Sequence, residues 1–352
     1  MPDGAAQAPT ATPVLDVRGL KKHFPVRKGL LRGVAGHVYA VDGVSFSIAP
    51  GETLGLVGES GCGKSTVARA VIRLVEPTAG EVRILGRDIL PLTRREMRPY
   101  RRQAQIIFQD PFSSLNPRMS AGDIVGEPLR VHELAHAKER RERVAALFER
   151  VGLRGSQLDS LPHQFSGGQR QRIGIARALA LGPDLIFADE PVSALDVSVQ
   201  AQILVLLEEL RQRRRLAFVF ISHDLGVVRH FCQRVAVMYL GRIVEEGPVP
   251  AIFEEPLHPY TRLLKASSPV PDPERAVAMN LQEGEPPSPV DPPPGCHFHP
   301  RCPFAMDRCR AIAPALQEVV AGRRVACHLF DQPGAAILAS GQEKPESSRI
   351  SP

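Results

Sequence analysis

The 352-residue chain has no tryptophan, and aromatic residues make up only 5% of it. A surface that stacks single-stranded nucleic acid needs repeated aromatic faces, so this composition argues against one. No stretch approaches the roughly 20 apolar residues of a membrane-spanning helix. Met1 to Thr12 also lacks the charged-then-apolar order of a signal peptide. The expectation is a protein made and kept in the cytoplasm, where its six cysteines stay reduced unless they bind metal. No internal repeat is visible, so whatever the chain carries it carries once. The 43% apolar content supports a real core, and the length allows one large or two modest domains.

A net charge of +6 and a pI near 9.2 invite a nucleic-acid reading. The arginines, however, lie in three runs, Arg94–Arg102, Lys138–Arg143 and Arg211–Arg215. Glu139 and Glu142 interrupt the second as on a solvated helix face. No nucleic-acid partner is therefore expected, and a basic surface facing anionic headgroups accounts better for the charge.

Residues 1–13 are small and proline-rich and are expected to be disordered. Val14–Val17, Val44–Ile48 and residues 81–85 read as strands, and the basic stretch Arg27–Gly36 as a loop. From about Arg94 to Ala180 the pattern is helical and charged, with helices expected at 136–151 and 167–181. Leu185–Ala188 and Leu216–Ile221 are apolar runs separated by an amphipathic helix, Val199–Arg213. That is the βαβ rhythm of a parallel sheet, so the fold class is α/β. Arg234–Tyr239 and Arg242–Glu245 close the main domain, 14–265, around Gly241. Residues 266–295 are crowded with proline and read as an extended connector, 296–330 as a Cys/His-rich segment, and 331–352 as a disordered tail.

Gly58-Glu59-Ser60-Gly61-Cys62-Gly63-Lys64-Ser65-Thr66 is a complete G-x-x-x-x-G-K-S/T phosphate loop. It lies between a buried-strand run, Thr53–Val57, and a helix-compatible run, Thr66–Leu74, and this context sets it apart from a chance glycine-rich turn. Glycines let successive backbone N–H groups face one concavity, and the following helix adds positive partial charge. Lys64 can reach the β- and γ-phosphates and Ser65 can offer its hydroxyl to Mg²⁺, so the chain is expected to bind a nucleoside triphosphate.

Leu185–Glu190 is an apolar strand ending in two carboxylates. In an α/β sheet ligands gather at that end of a parallel strand. There Asp189 can hold Mg²⁺ through water and Glu190 can polarise an attacking water. A solvated Asp-Glu turn would look the same in isolation, but not with a phosphate loop upstream and Pro191 directly after. Phe165-Ser166-Gly167-Gly168-Gln169 opens a further helix. Ser166 is a good N-cap, and two glycines in a first turn cost up to about 1 kcal/mol each. Capping alone does not explain them, whereas a second anion site does.

These motifs occur in the order seen in ATP-binding cassette ATPases, which the chain resembles over residues 14 to about 330. The match adds Ile107-Phe108-Gln109-Asp110, Ser193-Ala194-Leu195-Asp196 and Ser222-His223-Asp224. The resemblance implies a P-loop NTPase (RecA-like) nucleotide-binding domain with a helical subdomain at about 94–180 and a small Cys-rich C-terminal extension. It implies that Gln109 touches Mg²⁺ or the attacking water, and that His223 hydrogen-bonds the γ-phosphate beside Glu190. Ser166, Gly168 and Gln169 would contact ATP held by the opposite subunit, with Asp196 at the dimer seam. The family stacks an aromatic on adenine. Phe24 looks like the match, but Pro25–Val38 lengthens the spacing, so Tyr39 stays open, as does a core role for either.

Glu255-Pro256-Leu257-His258-Pro259-Tyr260-Thr261 resembles the C-terminal element of the oligopeptide/dipeptide branch. Asp110–Pro117 and Ala266–Pro269 look more like its F-type than its D-type subunit. That resemblance implies an ATPase that powers a peptide importer at the cytoplasmic face of the membrane. Its partners would be a D-type paralogue, two permeases and an external substrate-binding protein. Another cargo, such as nickel, stays open. The rival is a soluble cassette ATPase acting on nucleic acid or ribosomes. Such proteins typically carry tandem cassettes or long coiled-coil insertions, and neither is present. A phosphate-loop kinase would leave Phe165–Gln169 unexplained.

Cys296, Cys302, Cys309 and Cys327 fall within 32 residues, interleaved with His297, His299 and His328. A reducing compartment argues against two disulfides, and a metal would supply folding energy to a segment poor in core residues. Zinc usually takes paired ligands two to four residues apart. The gaps here are five, six and seventeen residues. A [4Fe–4S] cluster, as some relatives of this branch carry, zinc, and no metal are the three readings.

Overall fold

The computed structural model describes residues 12–28, 33–267, 285 and 287–331. Nearly all of the expected N-terminal segment and tail, and most of the proline-rich connector, lie outside these residues. The elements begin with β1 (Leu15–Lys28), β2 (Gly33–Ile48), β3 (Thr53–Val57), α1 (Lys64–Val71), β4 (Ala79–Ile84) and β5 (Arg87–Asp88). Next come α2 (Arg98–Gln103), β6 (Ala104–Ile107), α3 (Ala121–Val131), α4 (Ala137–Arg150), α5 (Gly167–Leu179), β7 (Leu185–Asp189), α6 (Val197–Arg214) and β8 (Ala217–Ser222). The last are α7 (Leu225–Phe231), β9 (Arg234–Tyr239), β10 (Arg242–Pro248), α8 (Val249–Glu254), α9 (Pro259–Ala266), α10 (Asp307–Ala311), β11 (Gln317–Val320) and β12 (Arg323–Val325).

Two sheets organise them. The larger has eight strands in the order β11-β12-β10-β9-β3-β8-β7-β6. From β9 to β6 neighbouring strands are parallel, and every residue of β3, β7 and β8 is buried. Helices cover both faces of such strands, which explains their unbroken apolar runs. The smaller sheet is antiparallel, in the order β2-β1-β4-β5. The stretch expected as a loop, Arg27–Gly36, is strand on both sides of residues 29–32, because the pairing runs on through Arg27↔Val34 and Lys28↔Gly33. β6 lies inside the stretch expected to be helical; four residues are too few for an alternating signal, and its register with β7 makes it a strand.

The helical unit is built from amphipathic faces. On α4, Val144, Leu147 and Phe148 are buried while Arg143 pairs with Glu139 on the wet side, as the interleaved charges suggested. β9 and β10 turn through Leu240 (φ 39°) and Gly241 (φ 80°), a two-residue hairpin with both central residues at positive φ.

The segment after residue 296 joins the main sheet. β12 pairs with the outer edge of β10 through Glu245↔Val325 and Glu246↔Arg324. Both glutamates are fully buried and paired. Glu245 accepts from the N–H groups of Leu257 and His258, each at 2.9 Å, and from Arg323 at 3.2 Å. Glu246 lies between Arg234 and Arg324. Among the described residues no helix is long and apolar enough to cross a membrane.

Candidate nucleotide site

Four adjacent parallel strands end along one edge of the large sheet, with Val57 beside Ser222, Ile221 beside Asp189, and Ala188 beside Ile107. The residues that follow are therefore brought together whatever their separation in sequence: the loop 58–63 after β3, His223 after β8, Glu190 after β7 and Gln109 after β6.

The phosphate loop requires its glycines. Gly58 has φ 151° and a Cβ there would strike the carbonyl oxygen of Met238. Gly63 has φ 108° and a Cβ would strike the carbonyl oxygen of Ala40, where β2 passes over the loop. The Lys64 ammonium lies within the loop, donating to the carbonyls of Gly58 (2.7 Å) and Glu59 (2.9 Å). The Cys62 thiol is 3.7 Å from it and buried; burial raises its pKa.

Ser65 Oγ donates to Asp189 Oδ1 at 2.6 Å. Asp189 is fully buried, and burial raises its pKa against the Ser65 hydrogen bond and the charge of Arg69. Among the described residues its Oδ2 has no hydrogen-bond partner, with Arg69 3.8 Å away. A buried carboxylate with one spare oxygen beside a hydroxyl suits a hydrated Mg²⁺. Gln109 does not join this pair. Its Nε2 donates instead to Glu190 Oε2 at 2.8 Å, while His223 Nδ1 lies 3.3 Å from Glu190 Oε1. Glu190 itself has φ 45°, a strained value for a non-glycine residue that aims its carboxylate off the strand end.

Ser166 caps α5 in a capping box with Gln169, whose backbone N–H donates to Ser166 Oγ (3.3 Å). Gly168 is needed for packing, since a Cβ would lie 2.5 Å from Val199 Cγ1 on α6. Among the described residues no hydrogen bond joins 166–169 to the phosphate loop, and Ser166 is exposed. Asp196 begins α6 with its side chain uncommitted to the cap, next to Val197, which is 81% exposed. Phe24 and Tyr39 both lie on the β1–β2 ribbon. Phe24 is exposed with the Lys22 ammonium 4.7 Å above its ring, whereas Tyr39 stacks edge-on against His23 at 4.5 Å.

Sequence reasoning missed a set of contacts on Glu59. Its N–H donates to Tyr260 Oη at 2.9 Å, and its carboxylate is gripped by Arg301 through three N···O contacts of 3.0–3.1 Å. Tyr260 follows His258, which caps α9 by accepting from Tyr260 N–H at 3.0 Å, and it packs against Tyr239 and Phe298. Partners 201 and 242 residues apart leave no local signal.

Cys309 and Cys327 are buried and Cys296 and Cys302 half-buried, all as free thiols. Burial pushes Cys302 up to about 11 and Cys327 up to about 12, and the other thiols of the set add to the rise. Among the described residues, no three His, Cys, Asp or Glu side chains are grouped to hold a metal ion.

Comparison with known proteins agrees with this geometry. A family described as ABC transporter matches residues 41–193, and one described as oligopeptide/dipeptide transporter, C-terminal region, matches 244–309. A probable peptide ABC transporter ATP-binding protein of Sinorhizobium fredii is 54% identical over 326 residues, covering 93% of this chain and 92% of that protein. The chain belongs to the ATP-binding subunits of the oligopeptide/dipeptide ABC transporter family. The oligopeptide transport ATP-binding protein AppF of Bacillus subtilis is 51% identical over 90% of the chain and 97% of its own length. The di/tripeptide transport ATP-binding protein DppF of Pseudomonas aeruginosa is 49% identical over 91% and 98%. A dimeric post-hydrolysis state of the ATP-binding cassette MJ0796 bound to ADP and Pi superposes with a TM-score of 0.60 at 31% identity, covering 67% of this chain and 98% of that one. The α/β cassette expected from the motifs is thus the fold found.

Proposed function

We propose that the chain hydrolyses ATP to drive peptide import through a membrane transporter, and that the convergence of Gln109 and His223 on Glu190, beside the Ser65–Asp189 pair, carries this reading. The loop 58–66 holds the phosphates, with Lys64 turning from its loop carbonyls to the β- and γ-oxygens. Ser65 and Asp189 would hold Mg²⁺, which would neutralise charge on the transferred group, while Gln109 stays on Glu190. Glu190 accepts the proton of the attacking water as its oxygen bonds to the γ-phosphorus. The bond to the β–γ bridging oxygen breaks, ADP carries away the electron pair, and phosphate is the second product. His223 donates to the γ-phosphate and steadies Glu190. Phe24, exposed on the ribbon, stacks on adenine in preference to the half-buried Tyr39.

Ser166, Gly168, Gln169 and Asp196 find no role in the chain's own phosphate loop, and the exposure of Ser166 and Asp196 suits the ATP of a second cassette. The partner is a D-type paralogue, and both act at the cytoplasmic face on two permeases fed by an external binding protein. The names of the relatives, oligopeptide and di/tripeptide transport proteins, support peptide as the cargo. Phosphate release from the chain reconstituted with its permeases in vesicles, with and without peptide and binding protein, tests this. Equal rates throughout, or recovery of the chain with nucleic acid instead of membranes, would refute it.

Cys296, Cys302, Cys309 and Cys327 are the proposed ligands of a [4Fe–4S] cluster. The gaps of five, six and seventeen residues are wider than the usual paired spacing of zinc ligands and support the cluster over zinc, while the lack of a three-ligand group among the described residues counts against either metal. Protein purified without oxygen should be brown and lose its absorbance on Cys302→Ser. Colourless protein with stoichiometric zinc would keep the site and discard the cluster; colourless protein without metal would discard both.

A further inference from the structure

Glu59 supplies the only carboxylate between residues 58 and 66, in a loop built to receive a polyanion. Its backbone is committed on both sides: the N–H to Tyr260 Oη, the carbonyl to the Lys64 ammonium. Its carboxylate would repel the phosphates unless paired, and the partner comes from the far end of the chain. Arg301 stands in a single 3-10 turn, His299–Arg301, between Cys296 and Cys302. Its guanidinium is 11% exposed and takes both Glu59 oxygens, against the rings of Tyr239 and Phe298. Glu59 itself is 28% exposed, so water and salt screen the pair in part, and loss of Arg301 leaves the carboxylate uncompensated beside the phosphates.

We propose that Arg301 is a positioning residue for ATP: by neutralising and orienting Glu59 it makes the phosphate loop receptive, so the C-terminal segment sets nucleotide affinity. This rests on the reading that the loop binds ATP, and the wild-type chain tests that separately.

The experiment measures the Kd of the full chain for a fluorescent ATP analogue at two salt concentrations, KM and kcat for ATP, and the thermal midpoint. Arg301→Ala is expected to raise Kd and KM about ten-fold, with the larger effect at low salt and kcat within about two-fold. Arg301→Lys should be intermediate, since one ammonium cannot match the bidentate fork. Removing the charge as well, in Glu59→Gln/Arg301→Ala, should recover most of the affinity, and Glu59→Gln alone should bind at least as tightly as wild type. Unchanged affinity in a folded Arg301→Ala, no recovery in the double variant, or weaker binding by Glu59→Gln would each overturn the proposal. If Arg301→Ala does not fold, the Arg301→Lys and Glu59→Gln results decide. Wild-type protein that binds no nucleotide would overturn the ATP reading itself, and this proposal with it.

Discussion

The amide of Gln109 donates to the Glu190 carboxylate at 2.8 Å, across 81 residues of sequence. The glutamine follows the edge strand and the glutamate its neighbour, so the bond links the helical unit to the carboxylate assigned to water activation. With His223 on the other oxygen, Glu190 is held from two sides before any water arrives. Such support is what a proton acceptor needs to be pre-oriented.

Glu190→Gln should leave ATP binding within about two-fold and lower turnover at least 100-fold, since it removes only the proposed proton acceptor. Equilibrium binding together with phosphate release checks this, and hydrolysis at the parent rate would remove the role assigned to Glu190. Lys64→Ala should instead weaken binding itself.

Asp189→Asn keeps the shape of the site and can still receive the Ser65 hydroxyl, but removes the charge proposed to face Mg²⁺. A ten-fold or larger rise in the Mg²⁺ concentration for half-maximal ATPase activity is expected, with Mg²⁺-free nucleotide binding little changed. Titrating Mg²⁺ in both assays separates the two effects.

His258 is fully buried, and burial lowers its pKa to about 3, helped by Arg262. The unfolded chain takes up this proton near pH 6.5. Between those values the unfolded state therefore binds more protons, and stability present above pH 6.5 is lost as pH falls toward 3. The slope from this residue approaches about 1.4 kcal/mol per pH unit. His258→Asn preserves an acceptor for Tyr260 N–H and should flatten that limb of the urea-midpoint profile between pH 4 and 6.

Gly168→Ala would force its new methyl against Val199 Cγ1 and should destabilise the chain by about 1–3 kcal/mol. Val199→Ala in the same chain should restore much of that loss. Urea unfolding of the two single variants and the double variant gives the coupling directly.

The strands of the main sheet were legible because they are apolar runs punctuated by glycine, proline and carboxylates. Residues 58–66 and 185–190 thus give both the sheet and the site at its edge. The helices at 137–150 and 167–179 come within two residues of their expected limits because each has a distinct buried stripe or cap. β6 is too short to show a period. The ribbon through Arg27 was hidden by its basic and glycine residues, since only cross-strand pairing makes them strand. Neither the addition of β11 and β12 to the sheet nor the grip of Arg301 on Glu59 was legible. Both depend on residues that touch only after the whole domain has closed.

The outer edge of β10 is covered by β12, and Glu245 and Glu246 are buried against arginines of that strand. A shorter cassette cut after residue 267 would thus expose an unpaired strand edge, with Glu245 deprived of Arg323 and Glu246 left with Arg234 alone. It should self-associate instead of behaving as an independent ATPase. The motor and its C-terminal appendage are, in engineering terms, a single indivisible part.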